Sequence, residues 1–114
     1  MCIFCQIAEK KIEAVVVYED DQIIAFKDVH PIAPVHVLVI PKSHVSSVND
    51  FKDQDEELVG RLVMVAKKIA QNLNISENGY KLLIRVGKDG GQEVQHVHLH
   101  LIGGAPLQEV IRPV

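Results

Sequence analysis

The chain lacks a basic excess: 12 lysines and arginines stand against 15 acidic residues, for a net charge of −3. Without a positive field, DNA and RNA are not expected as partners. It also lacks long apolar runs. None approaches the roughly 18 residues of a membrane span, so no membrane association is expected. The opening Met1-Cys2-Ile3-Phe4-Cys5 has neither the basic nor the apolar region of a secretory signal, and the expected compartment is the cytoplasm. Cysteine is scarce, with two residues. In a reducing compartment these are expected as free thiols or metal ligands, not a disulfide. No internal repeat and no low-complexity linker divides the 114 residues, which are expected to form a single domain spanning 1–114.

What is present reads as an α+β protein. Residues 14–19 and 22–27 have strand character and flank the acidic turn Asp20-Asp21, which suggests a hairpin. Pro31 and Pro34 make 28–35 a loop. His36 to Ile40 is expected as a third strand, stopped by Pro41. Residues 4–10 suit a short N-terminal helical turn. Over 54–73, Leu58, Leu62, Val65, Ile69 and Leu73 recur at three- and four-residue steps and predict one long helix. Asp53 with Glu56 is expected to cap its start, and Lys67 and Lys68 lie towards its end, as the helix dipole prefers. Tyr80 to Val86 reads as a fourth strand, Gly87 to Gln92 as a glycine-rich loop, and His96 to Ile102 as a fifth strand. Hairpin-length links favour a mainly antiparallel five-stranded sheet. Gly103 to Val114 is expected to wrap the surface.

The fifth strand carries half of the six histidines. In His96-Val97-His98-Leu99-His100-Leu101-Ile102, alternation along a strand places all three imidazoles on one face, about 7 Å apart. Val97, Leu99 and Leu101 turn the other way into a core. Three explanations compete: a polar strand face, zinc ligation by a His-x-His pair, or catalysis by one imidazole supported by the others. The preceding loop, Asp89-Gly90-Gly91-Gln92, favours catalysis. Glycine lets backbone amides approach an anion closely, so Gly91 and Gln92 are candidate phosphate contacts.

The run from Gly90-Gly91-Gln92 to Ile102 resembles the signature of histidine triad (HIT) proteins. Tyr18-Glu19-Asp20-Asp21, Ala25-Phe26-Lys27-Asp28 and Pro34-Val35-His36-Val37-Leu38-Val39-Ile40-Pro41-Lys42-Ser43-His44 are similar to the first half of the same family. The likeness extends over roughly residues 3 to 103 and lies closest to the nucleotide-binding branch. It implies a HIT-like fold and hydrolysis of purine nucleoside phosphoramidates, or related nucleotidyl conjugates, without an organic cofactor.

By position, His98 matches the family nucleophile, which attacks the α-phosphorus and forms a nucleotidyl-histidine intermediate. The carbonyl of His96 would accept a hydrogen bond from the second ring nitrogen of His98. His100 and His36 match phosphate-contacting positions. Asp28 matches the ribose-binding carboxylate, and Ile3, Phe4, Phe26, Val29 and Leu38 match the apolar slot for the base. Dinucleoside polyphosphate hydrolysis, used by another branch, and nucleotide binding with little catalysis remain the alternatives.

Cys2-Ile3-Phe4-Cys5 alone offers only two metal ligands. Bacterial relatives with this pair bind zinc using two further histidines, and the matching residues are His44 and His96. The implied site is a structural zinc on Cys2, Cys5, His44 and His96. The branch also implies a homodimer, and Leu82-Leu83-Ile84 suits a strand covered on both faces. Three features depart from it. Arg85 stands where the branch usually has asparagine, Glu93 stands where it usually has serine, and the C-terminus lacks a tryptophan-containing ending. Arg85 and Glu93 flank one loop and are expected to pair across it.

Overall fold

The computed structural model describes residues 2–114. In chain order it contains helix α1 (Ile3–Ala8), strands β1 (Val16–Glu19), β2 (Ile23–Lys27) and β3 (Val35–Pro41), helix α2 (Glu56–Asn72), and strands β4 (Tyr80–Ile84) and β5 (Leu99–Gly103). The strands form one sheet in the order β1-β2-β3-β5-β4, with every neighbouring pair antiparallel. This is the expected α+β architecture of one five-stranded sheet, one long helix and one short N-terminal helix.

Strand alternation sorts the central residues onto two faces. Ile23 and Ala25 of β2, Val37 and Val39 of β3, and Leu99 and Leu101 of β5 pack with Leu62, Val65, Ala66, Ile69 and Ala70 of α2. Burying each large side chain in this layer is worth roughly 1.5–3 kcal/mol. On the opposite face, Ile24, Phe26, Leu38 and Ile40 pack with Phe4 and Ile7 of α1. β2 and β3 are therefore covered on both sides, which explains their nearly unbroken apolar sequence. β4 is different: it is an edge strand, and Leu82 is 37% exposed. Among the described residues nothing gives Leu82-Leu83-Ile84 the expected cover on both faces.

The β1–β2 hairpin is fastened by Asp20. One carboxylate oxygen accepts from the amides of Gln22 and Ile23, both at 2.8 Å. The other accepts from the Tyr18 hydroxyl at 2.7 Å and from the Arg61 guanidinium on α2. Partial burial opposes ionisation, but these four donors outweigh it and take the Asp20 pKa down to about 2.

Several boundaries differ from the sequence expectation. β3 does not stop before Pro41; Pro41 pairs with Ile23, because the last residue of a strand can forgo its amide hydrogen. Asp53 does not cap the long helix. A 3-10 turn at Asp53–Asp55 comes first, and Asp55 accepts from the Lys52 amide at 2.8 Å. Lys67 and Lys68 fall short of the last helical turn, and Lys68 instead lies over the Tyr18 ring. β4 ends at Ile84 instead of Val86, and β5 begins only at Leu99, so His96 and His98 precede the ladder. The tail after Gly104 is largely exposed, tied down where Lys81 meets the Gln108 carbonyl and the Glu109 carboxylate. Among the described residues no helix is long and apolar enough to cross a membrane.

Candidate active site

On the α1 side of the sheet lies a cavity of about 800 Å³. Its floor and walls follow from strand register. Phe26 pairs with Leu38, Leu38 with His100, and His36 with Ile102, and directly paired residues share a face. All five line the cavity, together with His98, Asp28 and Arg85. Phe4 closes one wall with its ring set nearly perpendicular to Phe26 and His98, at 5.5 and 5.1 Å between centroids. Ile3 and Val29 also line it, but at 48% and 82% exposure they form the rim of the apolar slot, not its interior.

The three triad histidines do not form one open row. His98 and His100 face the cavity with rings 4.9 Å apart. His96 lies in a bend before the strand, fully buried, with its ring turned towards the two cysteines. Strand alternation does not govern it because the ladder has not yet begun. The segment is held instead by the Val97 amide donating to the Val45 carbonyl at 2.7 Å. That placement brings the His96 carbonyl to 2.8 Å from Nδ1 of His98. A carbonyl only accepts, so Nδ1 of His98 carries a proton, and in the neutral ring the lone pair is on Nε2.

A second chain of hydrogen bonds sets the other two rings. The Ile32 amide donates to Nδ1 of His36 at 3.3 Å, which requires a lone pair there. The His36 proton is therefore on Nε2, and it is donated to Nδ1 of His100 at 2.9 Å. His100 must then carry its own proton on Nε2. That nitrogen is buried and has no protein partner. It is a donor prepared for an acceptor that the protein does not supply. Burial pushes the pKa of both rings down, and with neighbouring His98, His36 and Arg85 takes His100 to about 4, so both stay neutral. Asp28 lies beside this chain, 3.4 Å from Nε2 of His36, and also accepts from the His30 amide at 2.8 Å, shaping its own turn. Sequence reasoning missed the Ile32 amide, a backbone group that leaves no trace in residue type.

The glycine loop holds its shape by internal bonds. A Cβ on Gly90 would sit 2.4 Å from the Val86 carbonyl oxygen, and Gly91 has φ +78°, so both positions require glycine. The amide of Gly91 donates to Lys88 and that of Gln92 to Gly87. Neither is available to cradle an anion, contrary to the expectation for this pair. The Gln92 side chain is likewise spent: it accepts from the Gly87 amide and donates to the Ser46 and Val94 carbonyls. Gln92 fastens the loop and does not line the cavity, whereas Gly91 does. The expected Arg85–Glu93 pair is not formed: among the described residues no ion pair joins them, although both line the cavity. Both are exposed, and water competes for each charge.

Next to the cavity, Cys2, Cys5, His44 and His96 bring four ligand atoms within 4.8 Å of one another. The sulfur-to-Nδ1 separations are 3.4 Å (Cys2–His96), 3.3 Å (Cys5–His44) and 3.5 Å (Cys5–His96). Tetrahedral zinc with Zn–S near ~2.3 Å and Zn–N near ~2.0 Å has S···N edges of about 3.5 Å. The outer shell fits as well. Nε2 of His96 donates to the Pro41 carbonyl at 2.8 Å and Nε2 of His44 lies 3.2 Å from the Ser46 hydroxyl, which leaves both Nδ1 lone pairs facing the sulfurs. Burial keeps His96 below its usual pKa, the neutral form a metal ligand needs.

Residues 9–107 match the HIT domain family model. A relative from Escherichia coli (strain K12), named purine nucleoside phosphoramidase, is 45% identical over 105 residues, 92% of this chain and 88% of the relative. Among solved structures, a HIT family hydrolase from Legionella pneumophila Philadelphia 1 superimposes with TM-score 0.93 at 49% identity, covering 95% of this chain and 96% of that one. A histidine triad protein from Clostridium difficile gives TM-score 0.93 at 41% identity, with 96% of each chain covered. The residues matched by the family model begin after α1, so Cys2 and Cys5 lie before them.

The proton chain has a measurable consequence. Nitrogen-15 NMR of the imidazoles at pH 7 should show the Nε2–H tautomer at His36 and His100 and the Nδ1–H tautomer at His98; a charged His100 ring would contradict it. Because folding holds His100 below its ordinary pKa, its contribution to stability is complete above about pH 6.5 and is lost as pH falls through about 4. Urea midpoints should fall across that window, and His100→Asn should shrink the fall.

Proposed function

The chain belongs to the HIT domain family, and on that premise we propose that it hydrolyses purine nucleoside phosphoramidates to the nucleoside monophosphate. The observation that carries this reading is the juxtaposition of His98, whose Nδ1 is bonded to the His96 carbonyl, with the buried, unpartnered Nε2 of His100. In its neutral form the first offers an Nε2 lone pair as nucleophile, and the second offers a donor for a phosphoryl oxygen. The name of the relative from Escherichia coli supports the substrate class.

In this mechanism the base lies between Phe4, Phe26 and Leu38, with Asp28 accepting from the ribose hydroxyls. Nε2 of His98 attacks the α-phosphorus. A new N–P bond forms, and the bond to the leaving nitrogen breaks with its electron pair, which takes a proton from solvent. The positive charge on the His98 ring is held at Nδ1–H by the His96 carbonyl. His100 donates to the phosphoryl oxygen through Nε2–H, and His36 fixes the tautomer that makes this possible. Water then adds to the phosphorus and gives up a proton to solvent, the N–P bond to His98 breaks, and the ring regains its lone pair. The apolar slot reads few base edges, which supports a general purine preference. His98→Ala should lower kcat by at least about 10³-fold while leaving adenosine monophosphate binding measurable by calorimetry. Near-normal turnover by that variant would reject the assignment.

We also propose that Cys2, Cys5, His44 and His96 hold a structural zinc ion in the cytoplasmic protein. With all four positions taken by protein, the ion would have no open site for substrate, and its role would be to tie α1 to the segment that carries His98. Protein prepared without chelator should contain one zinc per chain, and Cys5→Ser should lose the metal and several degrees of melting temperature. Absence of zinc both as purified and after titration would overturn this.

A homodimer is the third part of the proposal. The edge position of β4, with Leu82 exposed, and the exposed Val63 (43%) and Met64 (59%) of α2 support a second copy continuing the sheet and packing its long helix alongside. Sedimentation at micromolar concentration should give the mass of two chains; a single-chain mass would refute it.

A further inference from the structure

Among the described residues no ion pair holds Arg85 within the fold. It follows the last residue of β4, where Ile84 lies opposite Leu99. Ile84 packs on the α2 face, and the next residue, Arg85, lines the cavity with His98. The aliphatic stem and guanidinium run against the loop glycine: a Cβ on Gly91 would touch Nη1 at 3.5 Å and Cδ at 3.8 Å. The residue is exposed, lines the cavity, and among the described residues has no carboxylate at ion-pair distance, not even Glu93 on the same rim.

Its place relative to the reaction is set by the sheet order. The apolar slot is built on β2, β3 and α1, on one side of β5. Arg85 leaves from β4, on the other side. Lys27, the other fixed cation lining the cavity, sits at the end of β2 next to Asp28, on the nucleoside side. Depth points the same way. His98 is 6% exposed and must come within about 3–3.5 Å of the phosphorus it attacks, so the phosphorus lies at the floor. In-line displacement requires the leaving group to depart opposite the attacking nitrogen. It therefore points out of the cavity, towards the rim where the guanidinium stands.

Resting on the reading of His98 as nucleophile, we propose that Arg85 forms an anion subsite at the cavity mouth, which selects nucleotidyl substrates whose leaving group carries a carboxylate or phosphate. His100 offers a free N–H but no charge, and the N–H of His36 is spent on His100, so the subsite adds a fixed positive group that neither ring provides. A guanidinium suits either anion because its planar fork can donate two parallel hydrogen bonds.

Two adenosine phosphoramidates test this, one with propylamine and one with β-alanine as leaving group, so that they differ by one carboxylate. The measured quantity is the ratio of their kcat/KM values. Arg85→Asn should lower the preference for the β-alanine compound by about tenfold, as expected for loss of a charge-assisted hydrogen bond, and Arg85→Lys should restore part of it. An unchanged ratio would overturn the subsite, whether both rates stay level or both fall together. Calorimetry with adenosine diphosphate and monophosphate provides the phosphate arm: Arg85→Asn should weaken the diphosphate more than the monophosphate. Equal weakening, or none, would count against a subsite beyond the first phosphate. If the unaltered protein hydrolyses neither amidate, the proposed activity fails, while the diphosphate-to-monophosphate ratio still decides the role of Arg85.

Discussion

The site depends on one hydrogen bond between residues two apart in sequence, from Nδ1–H of His98 to the carbonyl of His96. A histidine in a regular ladder could not use that carbonyl, because there it would point along the sheet to the neighbouring strand. The chain frees it by delaying the ladder until Leu99 and bending through His96. The delay would leave backbone groups unpaired, and the Val97–Val45 bond takes up one of them. The tautomer of His98, and with it the position of the reactive lone pair, is thus a property of where β5 begins.

The rest of the sheet keeps that arrangement rigid. Nearly every side chain along β2 and β3 is buried on one face or the other. One layer belongs to α2 and carries most of the apolar burial; the other is shared by α1 and the cavity. The division lets a polar, titratable cluster stand on a sheet whose stability is supplied from behind. It also explains why neutral histidines are tolerated inside. Among the described residues the buried ring nitrogen left without a partner is Nε2 of His100, which faces the cavity.

Much of this was legible in the sequence because period-two and period-four patterns report directly on burial. Alternation was correct where the ladder exists, with Leu99 and Leu101 in the core and His100 on the cavity face, and the α2 stripe through Leu62, Val65 and Ile69 matched the buried face. Legibility failed where a backbone group decides the outcome. Nothing in the residue types says that the Ile32 amide fixes the tautomer of His36, that the Pro41 carbonyl holds His96, or that the amides of Gly91 and Gln92 are used inside their own loop. It failed again for exposed charges. Arg85 and Glu93 are close in sequence and opposite in sign, yet solvent removes most of the incentive to pair. Leu73, which fits the helical stripe, comes after the last helical residue and remains 36% exposed.

The short helix α1 connects the two side-chain clusters on this face. Six residues cannot sustain a helix alone, because nucleation costs more than so few hydrogen bonds return. α1 is held by what its side chains reach. Phe4 and Ile7 enter the apolar layer, while Cys2 and Cys5 converge on His96, and the Cys5 amide points at the Cys2 sulfur. Phe4 lies between the two cysteines in sequence and forms the wall of the slot beside His98. A displacement at the sulfurs would therefore carry the slot wall with it, and one at the slot wall would pull on the sulfurs. His96 joins the same circuit from the other side, with its ring at the thiols and its carbonyl on His98. The donor cluster and the nucleophile are consequently parts of one constraint, since no rearrangement of α1 can leave His96 fixed on both of its partners.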